Sequence, residues 1–484
     1  MIKVNDSISA LNYFSTNQTC QLFRSNISTI YIGFNLNSTI IFLNQSSLTI
    51  LNILEYQPST SSSSTTSTST TSSSTSTSTT SSSTSTTTST STSSSTSTST
   101  STSTSTTSST STTSSTTSSS TSTTTSSSTS TSTTSSSSTT VACNYFLNQT
   151  TYAVGTNPWS VAVVDVNSDN KPDIIVANMG SNNVGVLLNA GSGTFSAQTP
   201  YSVGGGPQAV AVVDVNGDNK PDIIFANSGS TKVGVLLNAG NGSFSAQTHY
   251  AVGTNPWSVA VVDVNNDNES DIIVANQGSN TVSVLRNAGS GTFNVQTTYG
   301  VGTGPQAVAV VDVNGDNKPD IIVANSGSSS VGVLLNTGSG TFSAQTTYAV
   351  GTQPYSVAVI DVNSDNKPDI IVANYGSSSV GVLLNTGSGT FSAQTTYPVG
   401  TKPYSVAVVD VNSDNKPDII VANSGDSTAG VLLNAGNGTF NTQTTYTVGN
   451  DPQAVAVVDV NEDNTPDIIV ANSGSSTVSV LLHC

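Results

Sequence analysis

The sequence predicts an all-β fold, a β-propeller of seven four-stranded blades, and three observations support this class. A D-x-N-x-D-x-x-x-D loop recurs seven times at a constant spacing of 49 residues, from Asp165 to the copy that begins at Asp459. Each copy lies between two short runs rich in Val and Ile, which is the composition of buried strands. Four short strands in a repeat of this length are typical of one propeller blade, and seven blades can close a ring.

Within the first unit, the apolar runs predict four strands separated by turns. SVAVVDV (160–166) precedes the Asp loop, DIIVAN (173–178) follows it, VGVLLN (184–189) comes next, and TFSAQTPYSV (194–203) completes the unit. Val and Ile occur almost without alternation in the first two strands, which indicates that both of their faces are buried. Small sheets stacked face to face would bury them in this way.

The two ends of the repeat region predict how the ring closes. The last unit stops after its third strand at VSVLLHC, whereas FLNQTTYAVG (146–155) resembles the fourth strand FSAQTTYAVG (342–351) of a complete unit. We therefore expect the N-terminal strand to complete the last blade, which removes the open edges of a linear array. The same alignment places Cys143 and Cys484 two residues apart in one tight turn, and we expect a disulfide between them.

Composition divides the chain into three segments. Residues 1–57 alternate apolar and polar residues and predict a small β-rich segment of uncertain fold. Residues 58–141 are a linker in which positions 59–140 are Ser and Thr only. A tract without apolar side chains cannot form a core, so we expect disorder, either as a solvated spacer or as an O-glycosylated, mucin-like stalk. Residues 142–484 hold the seven repeats.

The charge and the sequons restrict the class of partner and the compartment. The formal net charge is −17, and the repeated Asp positions of the loops account for 21 of the 27 acidic residues. Because no basic patch could neutralise phosphates, nucleic acid is not expected as a partner. An extracellular or cell-surface location is favoured by the predicted disulfide, although no signal peptide is visible and residues 39–54 are too polar for a membrane span. The N-x-S/T sequons agree with this location and begin at Asn5, Asn17, Asn26, Asn37, Asn44, Asn148, Asn241, Asn268 and Asn437.

The repeated loop places oxygen ligands at alternate positions, which suits a hard cation. Each loop offers three carboxylates and one amide and contains no His or Cys, which argues against zinc and copper. Magnesium demands a stricter octahedron, so calcium fits best, with up to seven ions in a mainly structural role. The alternative is a set of Asx-rich turns that only link strands. The candidate metal ligands are Asp165, Asn167, Asp169, Asp173, Asp214, Asn216, Asp218, Asp222, Asp263, Asn265, Asp267, Asp271, Asp312, Asn314, Asp316, Asp320, Asp361, Asn363, Asp365, Asp369, Asp410, Asn412, Asp414, Asp418, Asp459, Asn461, Asp463 and Asp467.

The pattern VAVVDVNSDNKPDIIVAN followed by VGVLLNAGSGTF resembles the FG-GAP/VCBS repeat of the integrin α-chain N-terminal β-propeller. The resemblance covers residues 142–484 and includes the turn formed by Gly191, Gly193 and Phe195. It implies calcium at each Asp loop, with the backbone carbonyl of the seventh loop position, such as that of Lys171, completing the ligand shell.

Two departures from the family pattern concern the loops. The family usually has Gly at loop position six, where this chain has Asn in every unit, such as Asn170. Because Asn tolerates the left-handed conformation better than most residues, we expect the loop to be kept. The third loop, from Asp263 to Asp271, lacks the Pro of the other loops and contains the sequon at Asn268.

The differences between units predict the ligand-binding face. In a meander the Asp loops and the AGSG turns share one face, and the opposite face carries the loops between the second and third strands and the connections between blades. The informative differences lie on that opposite face, where a ring of Trp, Tyr and Gln residues follows the recurring Pro and includes Gln208, Gln306 and Gln453. Aromatic residues there offer rigid contact area with a polar handle. The alternative is that these side chains pack between blades near the channel. The candidate ligand-binding residues are Trp159, Trp257, Tyr355, Tyr404 and Tyr375.

The sequence favours a binding protein over an enzyme. It contains two histidines, His249 and His483, and no G-x-S-x-G, P-loop or catalytic Cys/His set. We expect an extracellular calcium-binding propeller that acts as an adhesion or ligand-recognition module on a Ser/Thr-rich stalk, with a protein or a glycan as its ligand. The alternatives are a carbohydrate-binding lectin and a structural coat component without a specific ligand.

Overall fold

The computed structural model describes residues 145–484 in full and four short N-terminal strands by their backbone. These strands are Ala10–Phe14, Thr19–Phe23, Ile40–Phe42 and Thr49–Leu51. The first two pair antiparallel, and so do the last two. The Ser/Thr tract and Cys143 lie outside the described residues, so the disordered linker and the disulfide remain predictions.

Residues 145–484 form the seven-bladed propeller that the sequence predicts, and each blade is an antiparallel sheet of four strands. The first strands of neighbouring blades contact one another around the ring, so they are the inner strands that surround the channel. Each inner strand begins at the recurring Pro, because its position precedes the first ladder bond and needs no N–H. The inner strands are Pro158–Val164, Pro207–Val213, Pro256–Val262, Pro305–Val311, Pro354–Ile360, Pro403–Val409 and Pro452–Val458.

The next two strands of each blade carry most of the apolar core. The second strands are Asp173–Asn178, Asp222–Asn227, Asp271–Asn276, Asp320–Asn325, Asp369–Asn374, Asp418–Asn423 and Asp467–Asn472. The third strands are Asn183–Leu187, Lys232–Leu236, Thr281–Leu285, Ser330–Leu334, Ser379–Leu383, Thr428–Leu432 and Thr477–Leu481. Every residue of the second strands is buried, as expected for a strand covered on both faces. Two one-turn 3₁₀ helices, Ser326–Ser328 and Tyr375–Ser377, follow the second strands of blades 4 and 5.

The predicted fourth strand is divided in the structure. A short hairpin after the third strand is followed by a separate outer strand, because the chain must turn before it can rejoin the sheet. The hairpins are Asn189–Gly191 with Thr194–Phe195, Asn238–Gly240 with Ser243–Phe244, Asn336–Gly338 with Thr341–Phe342, Asn385–Gly387 with Thr390–Phe391, and Asn434–Gly436 with Thr439–Phe440. The outer strands of blades 1 to 6 are Thr199–Ser202, Thr248–Ala251, Thr297–Gly300, Thr346–Ala349, Thr395–Pro398 and Thr444–Thr447.

The ring closes as predicted, with the N-terminal strand in the last blade. Thr150–Ala153 pairs antiparallel with the third strand of blade 7, from Thr150 opposite Val480 to Ala153 opposite Thr477. Nearby, the backbone N–H of Cys484 donates to the carbonyl oxygen of Tyr145 at 3.0 Å. Strands from the two ends of the repeat region therefore form one blade, which leaves the ring without a free edge at its junction.

The core lies between blades, where the apolar faces of adjacent sheets meet. At the junction of blades 7 and 1, for example, Val161 and Ile174 pack in one cluster with Ala454 and Ile469. An aromatic pair closes each junction edge-to-face: the outer-strand Tyr152 meets Phe195 of the next blade at a centroid distance of 5.4 Å. The equivalent pairs are Tyr201–Phe244, Tyr250–Phe293, Tyr299–Phe342, Tyr348–Phe391, Tyr397–Phe440 and Tyr446–Phe146.

A buried asparagine joins each blade to its neighbour by hydrogen bonds. Nδ2 of Asn336 donates to the carbonyl oxygen of Val264 in the preceding blade at 2.8 Å. It also donates to the carbonyl oxygen of Pro319 in its own blade at 3.0 Å. In the last blade His483 takes this position, and its Nε2 lies 3.0 Å from the carbonyl oxygen of Val411. All seven junctions are therefore linked in the same way. The other asparagines are Asn189, Asn238, Asn287, Asn385 and Asn434.

Candidate functional site

The Asp loops form one face of the propeller, and their first carboxylate organises the loop backbone. In the first loop Oδ1 of Asp165 accepts from the N–H groups of Asn167 at 3.1 Å and Ser168 at 2.7 Å, and its Oδ2 accepts from Asn170 at 2.7 Å. Asn at loop position six has φ between 61° and 68° in all seven blades, so the left-handed conformation expected there is confirmed. The residue at position four, such as Ser168 with φ 64°, is left-handed as well.

The last aspartate of each loop is buried at the start of the second strand. Asp173 has no exposed surface, and its two carboxylate oxygens accept from the N–H groups of Val166 at 3.0 Å and Asn189 at 2.8 Å. The pKa of this carboxyl is raised to about 6, chiefly by burial and to a smaller extent by the nearby charges of Asp165 and Asp169, while the two backbone hydrogen bonds lower it. The same cause raises the pKa to about 6 in Asp320 and Asp369 and to about 7 in Asp222, Asp271, Asp418 and Asp467.

The donor set of each loop fits a hard cation, and the structure also shows what competes with one. Three carboxylates and an amide oxygen lie within nine residues, and an ionised carboxylate keeps lone pairs free after it accepts an N–H group. Across residues 145–484, however, no three acidic, His or Cys side chains converge into a ready cluster. In five loops the position-five Asp instead pairs with a Lys, as Asp316 does with Lys318 at 2.8 Å.

The opposite face contains the mouth of the channel, and a β-bulge in every inner strand forms it. In blade 1 Pro158 pairs with Asn178 and Ser160 pairs with Ala177, so Trp159 has no partner in the ladder. The same shift in register recurs in all seven blades at the residue after the Pro. A bulge redirects a side chain, and these seven residues all line one pocket at the channel: Trp159, Gln208, Trp257, Gln306, Tyr355, Tyr404 and Gln453.

The five aromatic residues predicted to bind a ligand are brought together at the channel mouth. Trp159 lies edge-to-face with Trp257 at 5.8 Å and with Tyr404 at 5.5 Å between ring centroids. Tyr404 in turn meets Tyr355 at 5.1 Å, and Tyr375 stacks on Tyr355 at 4.4 Å. The rings are partly buried, and burial raises the pKa of Tyr404 well above its usual range. The cluster thus connects blades across the channel, and its residues remain partly exposed.

Three glutamines and one indole leave polar atoms without partners at this mouth. Oε1 of Gln208, Gln306 and Gln453 and Nε1 of Trp159 are buried and accept or donate no hydrogen bond among the described residues. The amide of Gln453 is oriented by its Nε2, which donates to Oδ1 of Asp451 at 2.7 Å. The residues around these atoms enclose about 40 Å³, room for a few water molecules or one small polar group. A buried polar atom without a partner costs about 1–3 kcal/mol, so a group that supplies the partner is favoured there.

The sequence singles out the aromatic residues at this mouth together with the three glutamines. Their signal is positional, since Gln occupies the same place in the repeat as Trp and Tyr. The seven bulges have no signature in the sequence. Of the two histidines, His249 lies edge-to-face with Phe225 at 6.3 Å in an outer strand, and burial lowers its pKa. His483 bridges two blades, so both imidazoles have packing roles.

Comparison with known proteins places the chain in a family. The sequence matches the FG-GAP-like repeat over residues 165–225, 214–274, 263–323, 312–372, 361–421 and 410–470. Each match runs from one Asp loop to the second strand of the following blade, so six overlapping matches span all seven loops. No curated protein sequence matches the chain. Within the part of the chain that the structure describes, no helix is long and apolar enough to cross a bilayer.

Solved structures share the fold at low sequence identity. A streptogramin B lyase has a TM-score of 0.50 at 15% identity, covering 70% of this chain and 98% of its own. The structure of BBS1N in complex with ARL6DN has a TM-score of 0.51 at 15% identity, covering 70% of this chain and 97% of its own. An Agrocybe aegerita lectin that recognises non-reducing terminal N-acetylglucosamine has a TM-score of 0.44 at 20% identity, covering 68% and 86%. The repeat matches show that the chain belongs to the FG-GAP-like repeat family, and its seven four-stranded blades form a β-propeller.

Proposed function

We propose that the propeller is a ligand-recognition module of an extracellular or surface-displayed protein, and that its ligand binds at the channel mouth. The observation that carries this proposal is the convergence of Trp, Tyr and Gln side chains from all seven blades on one pocket there, where Gln208, Gln306, Gln453 and Trp159 keep buried polar atoms free of protein hydrogen bonds. If these side chains only filled the channel, apolar residues would be favoured at the buried positions, because they avoid the free-energy cost of unpaired polar groups. Polar groups beside aromatic rings are instead typical of binding sites.

The proposal also includes a Ser/Thr-rich stalk, calcium at the Asp loops and a disulfide. The Ser/Thr-rich segment acts as a stalk that holds the propeller away from its attachment, which suits cell or matrix adhesion. Calcium at the Asp loops, and a Cys143–Cys484 disulfide, stabilise the ring in an extracellular medium. The oxygen-only donor set of the loops supports calcium, and the bond from Cys484 N–H to the Tyr145 carbonyl brings the chain next to Cys143 close to Cys484.

The test of this function uses the two tryptophans, which are the only ones in the chain and both lie at the mouth. The full chain is screened on an array of glycans and extracellular matrix proteins, with calcium and with a chelator, and hits are titrated by tryptophan fluorescence. Trp257→Gln is the informative variant, because Gln occupies this position in three other blades and the fold should accept it. Val295→Ala is the matched control, since Val295 is 92% exposed and lies away from the mouth.

Each outcome of the screen selects one function. Recognition of a protein is supported if a protein on the array changes the fluorescence and its affinity falls at least tenfold in Trp257→Gln but not in Val295→Ala. A glycan hit with the same behaviour favours the alternative of a lectin, in which the half-buried Trp rings stack on a sugar. A folded protein without a hit, or binding that is insensitive to Trp257→Gln, contradicts a ligand at the mouth and leaves a structural coat component.

A further inference from the structure

Four of the sequons belong to the propeller, and the structure places all of them on or at the rim of the Asp-loop face. Asn241 and Asn437 are at the tips of the short hairpins in blades 2 and 6, and Asn268 is in the Asp loop of blade 3. Asn148 precedes the outer strand of blade 7, beside the bond from Leu147 N–H to the Leu482 carbonyl at 2.8 Å. All four asparagines are exposed.

The three turn asparagines have a backbone that presents the side chain to solvent. Their φ values are 53° for Asn241, 67° for Asn268 and 51° for Asn437, so each lies in the left-handed region that Asn adopts at turns. Other blades have Ser at the hairpin position, such as Ser192 with φ 53°, so Asn is not needed there for the fold. The side chain at this place can therefore carry a large substituent without loss of a contact.

The channel-mouth face also has asparagines, and one of them recurs at the end of the second strand in every blade. Packing prevents a sequon at this recurring position. Each second strand ends in Asn, and the residue two places later is always Gly, as in Asn178 and Gly180. A Cβ on Gly180 would lie 2.8 Å from Oγ1 of Thr156 and 3.0 Å from its carbonyl oxygen, so Ser or Thr cannot replace it without a shift of the backbone. Asn157 and Asn255 on the same face are followed by Pro, which a sequon excludes.

We propose that the propeller carries N-linked glycans at Asn148, Asn241, Asn268 and Asn437, which cover the Asp-loop face and leave the channel-mouth face bare. The amide Nδ2 forms a bond to the anomeric carbon of a lipid-phosphate-linked oligosaccharide. The bond between that carbon and the phosphate oxygen breaks, the lipid phosphate leaves with the electron pair, and the amide gives up one proton. The inference rests on the export that the proposed function includes. Partners would then approach from the side where the aromatic cluster lies.

The experiment is glycopeptide mass spectrometry on the full chain, secreted with a cleavable leader from a eukaryotic host. We expect occupancy at all four sites, and loss of one site each in Asn241→Ser and Asn437→Ser, which restore the residue of the other blades. Asp426→Asn is the matched probe of the opposite face: it creates the sequon Asn-Ser-Thr with Thr428 at an exposed position. Asn keeps one acceptor oxygen and can still accept one of the two bonds that Asp426 receives from the N–H and the hydroxyl of Thr401.

The outcomes separate this inference from the proposed function. The inference is supported if the native sites are occupied and Asp426→Asn carries a glycan at position 426. The channel-mouth face is then bare because it has no sequon, and not because the glycosylating enzyme cannot reach it. Secreted protein whose N-terminal sequons, such as Asn17, are glycosylated while the four propeller sites are empty overturns it. Whether the chain is exported from its native source is a separate measurement: an internal location there would count against both, whereas empty propeller sites on a secreted chain overturn the inference alone.

Discussion

Replacement of Asn336 by Ala tests whether the asparagine bonds hold neighbouring blades together. The side chain is 3% exposed and makes three hydrogen bonds: Nδ2 to the carbonyl oxygens of Val264 and Pro319, and Oδ1 from the N–H of Gly338 at 2.9 Å. Each such bond contributes about 1 kcal/mol net. The substitution should therefore lower the free energy of unfolding by about 3 kcal/mol, and somewhat more because a small cavity is left.

The expected change can be measured by thermal and urea unfolding of the full chain followed by circular dichroism. With an unfolding entropy of roughly 2.1 cal/mol/K per residue over the repeat domain, 3 kcal/mol corresponds to a fall in Tm of about 4 °C. Thr337→Ala is the matched control, since Ala occupies this exposed turn position in other blades and the change should be nearly neutral. Equal Tm values for the two variants would refute the view that the asparagine links the blades.

Three further predictions concern the last junction, blade 2 and the buried aspartates. His483→Asn should keep the bond to the Val411 carbonyl and leave Tm unchanged, whereas His483→Ala should lower it by a few degrees; equal losses in both would count against this role. Gly234→Ser places a Cβ 2.1 Å from Cζ of Phe225 and should lower the free energy of unfolding by about 1–3 kcal/mol. A double-mutant cycle with Phe225→Val should show that stability is recovered in the double variant. No recovery would show that the ring of Phe225 is not the obstacle. The pKa of the buried Asp320 is raised from 3.8 to about 6, and the pKa of its six equivalents is raised to about 6 or 7. Between about pH 4 and 7 the metal-free folded chain therefore binds more protons than the unfolded chain. In chelator, stability should therefore fall as pH rises through this window, and calcium at ~1 mM should restore about 0.4–1.4 kcal/mol per loop at pH 7.5; a flat profile in chelator would contradict the burial of these carboxyls, and no response to calcium would contradict the metal loops.

The repeat made most of the fold predictable. Seven loops at one spacing determine seven equivalent units, and Val-rich runs on both sides of each loop determine buried strands. The position of the closing strand also followed from the sequence, because FLNQTTYAVG matches a segment that the last unit lacks. The division of the fourth strand did not follow, since the three residues between Phe195 and Thr199 have no turn signal as strong as Gly or Pro.

The candidate sites were predictable to different degrees. The Asp loops are local, and the left-handed Asn at position six followed from residue type alone. The sequence also identified which repeat positions vary, and therefore the aromatic residues. It could not show that Trp159 meets Tyr404, which is 245 positions away in the chain, or that both lie beside unpaired glutamine oxygens.

The sequence by itself determined the units, their number, their Asp loops and the strand that closes them, because each of these follows from comparing one 49-residue period with the others. Only the tertiary structure decided how the units meet. The meeting of seven side chains at the channel, the Tyr–Phe pairs and the asparagine bonds between blades all arise where separate sheets are brought into contact. Such contacts depend on the curvature of the closed ring, which no local pattern in the chain records.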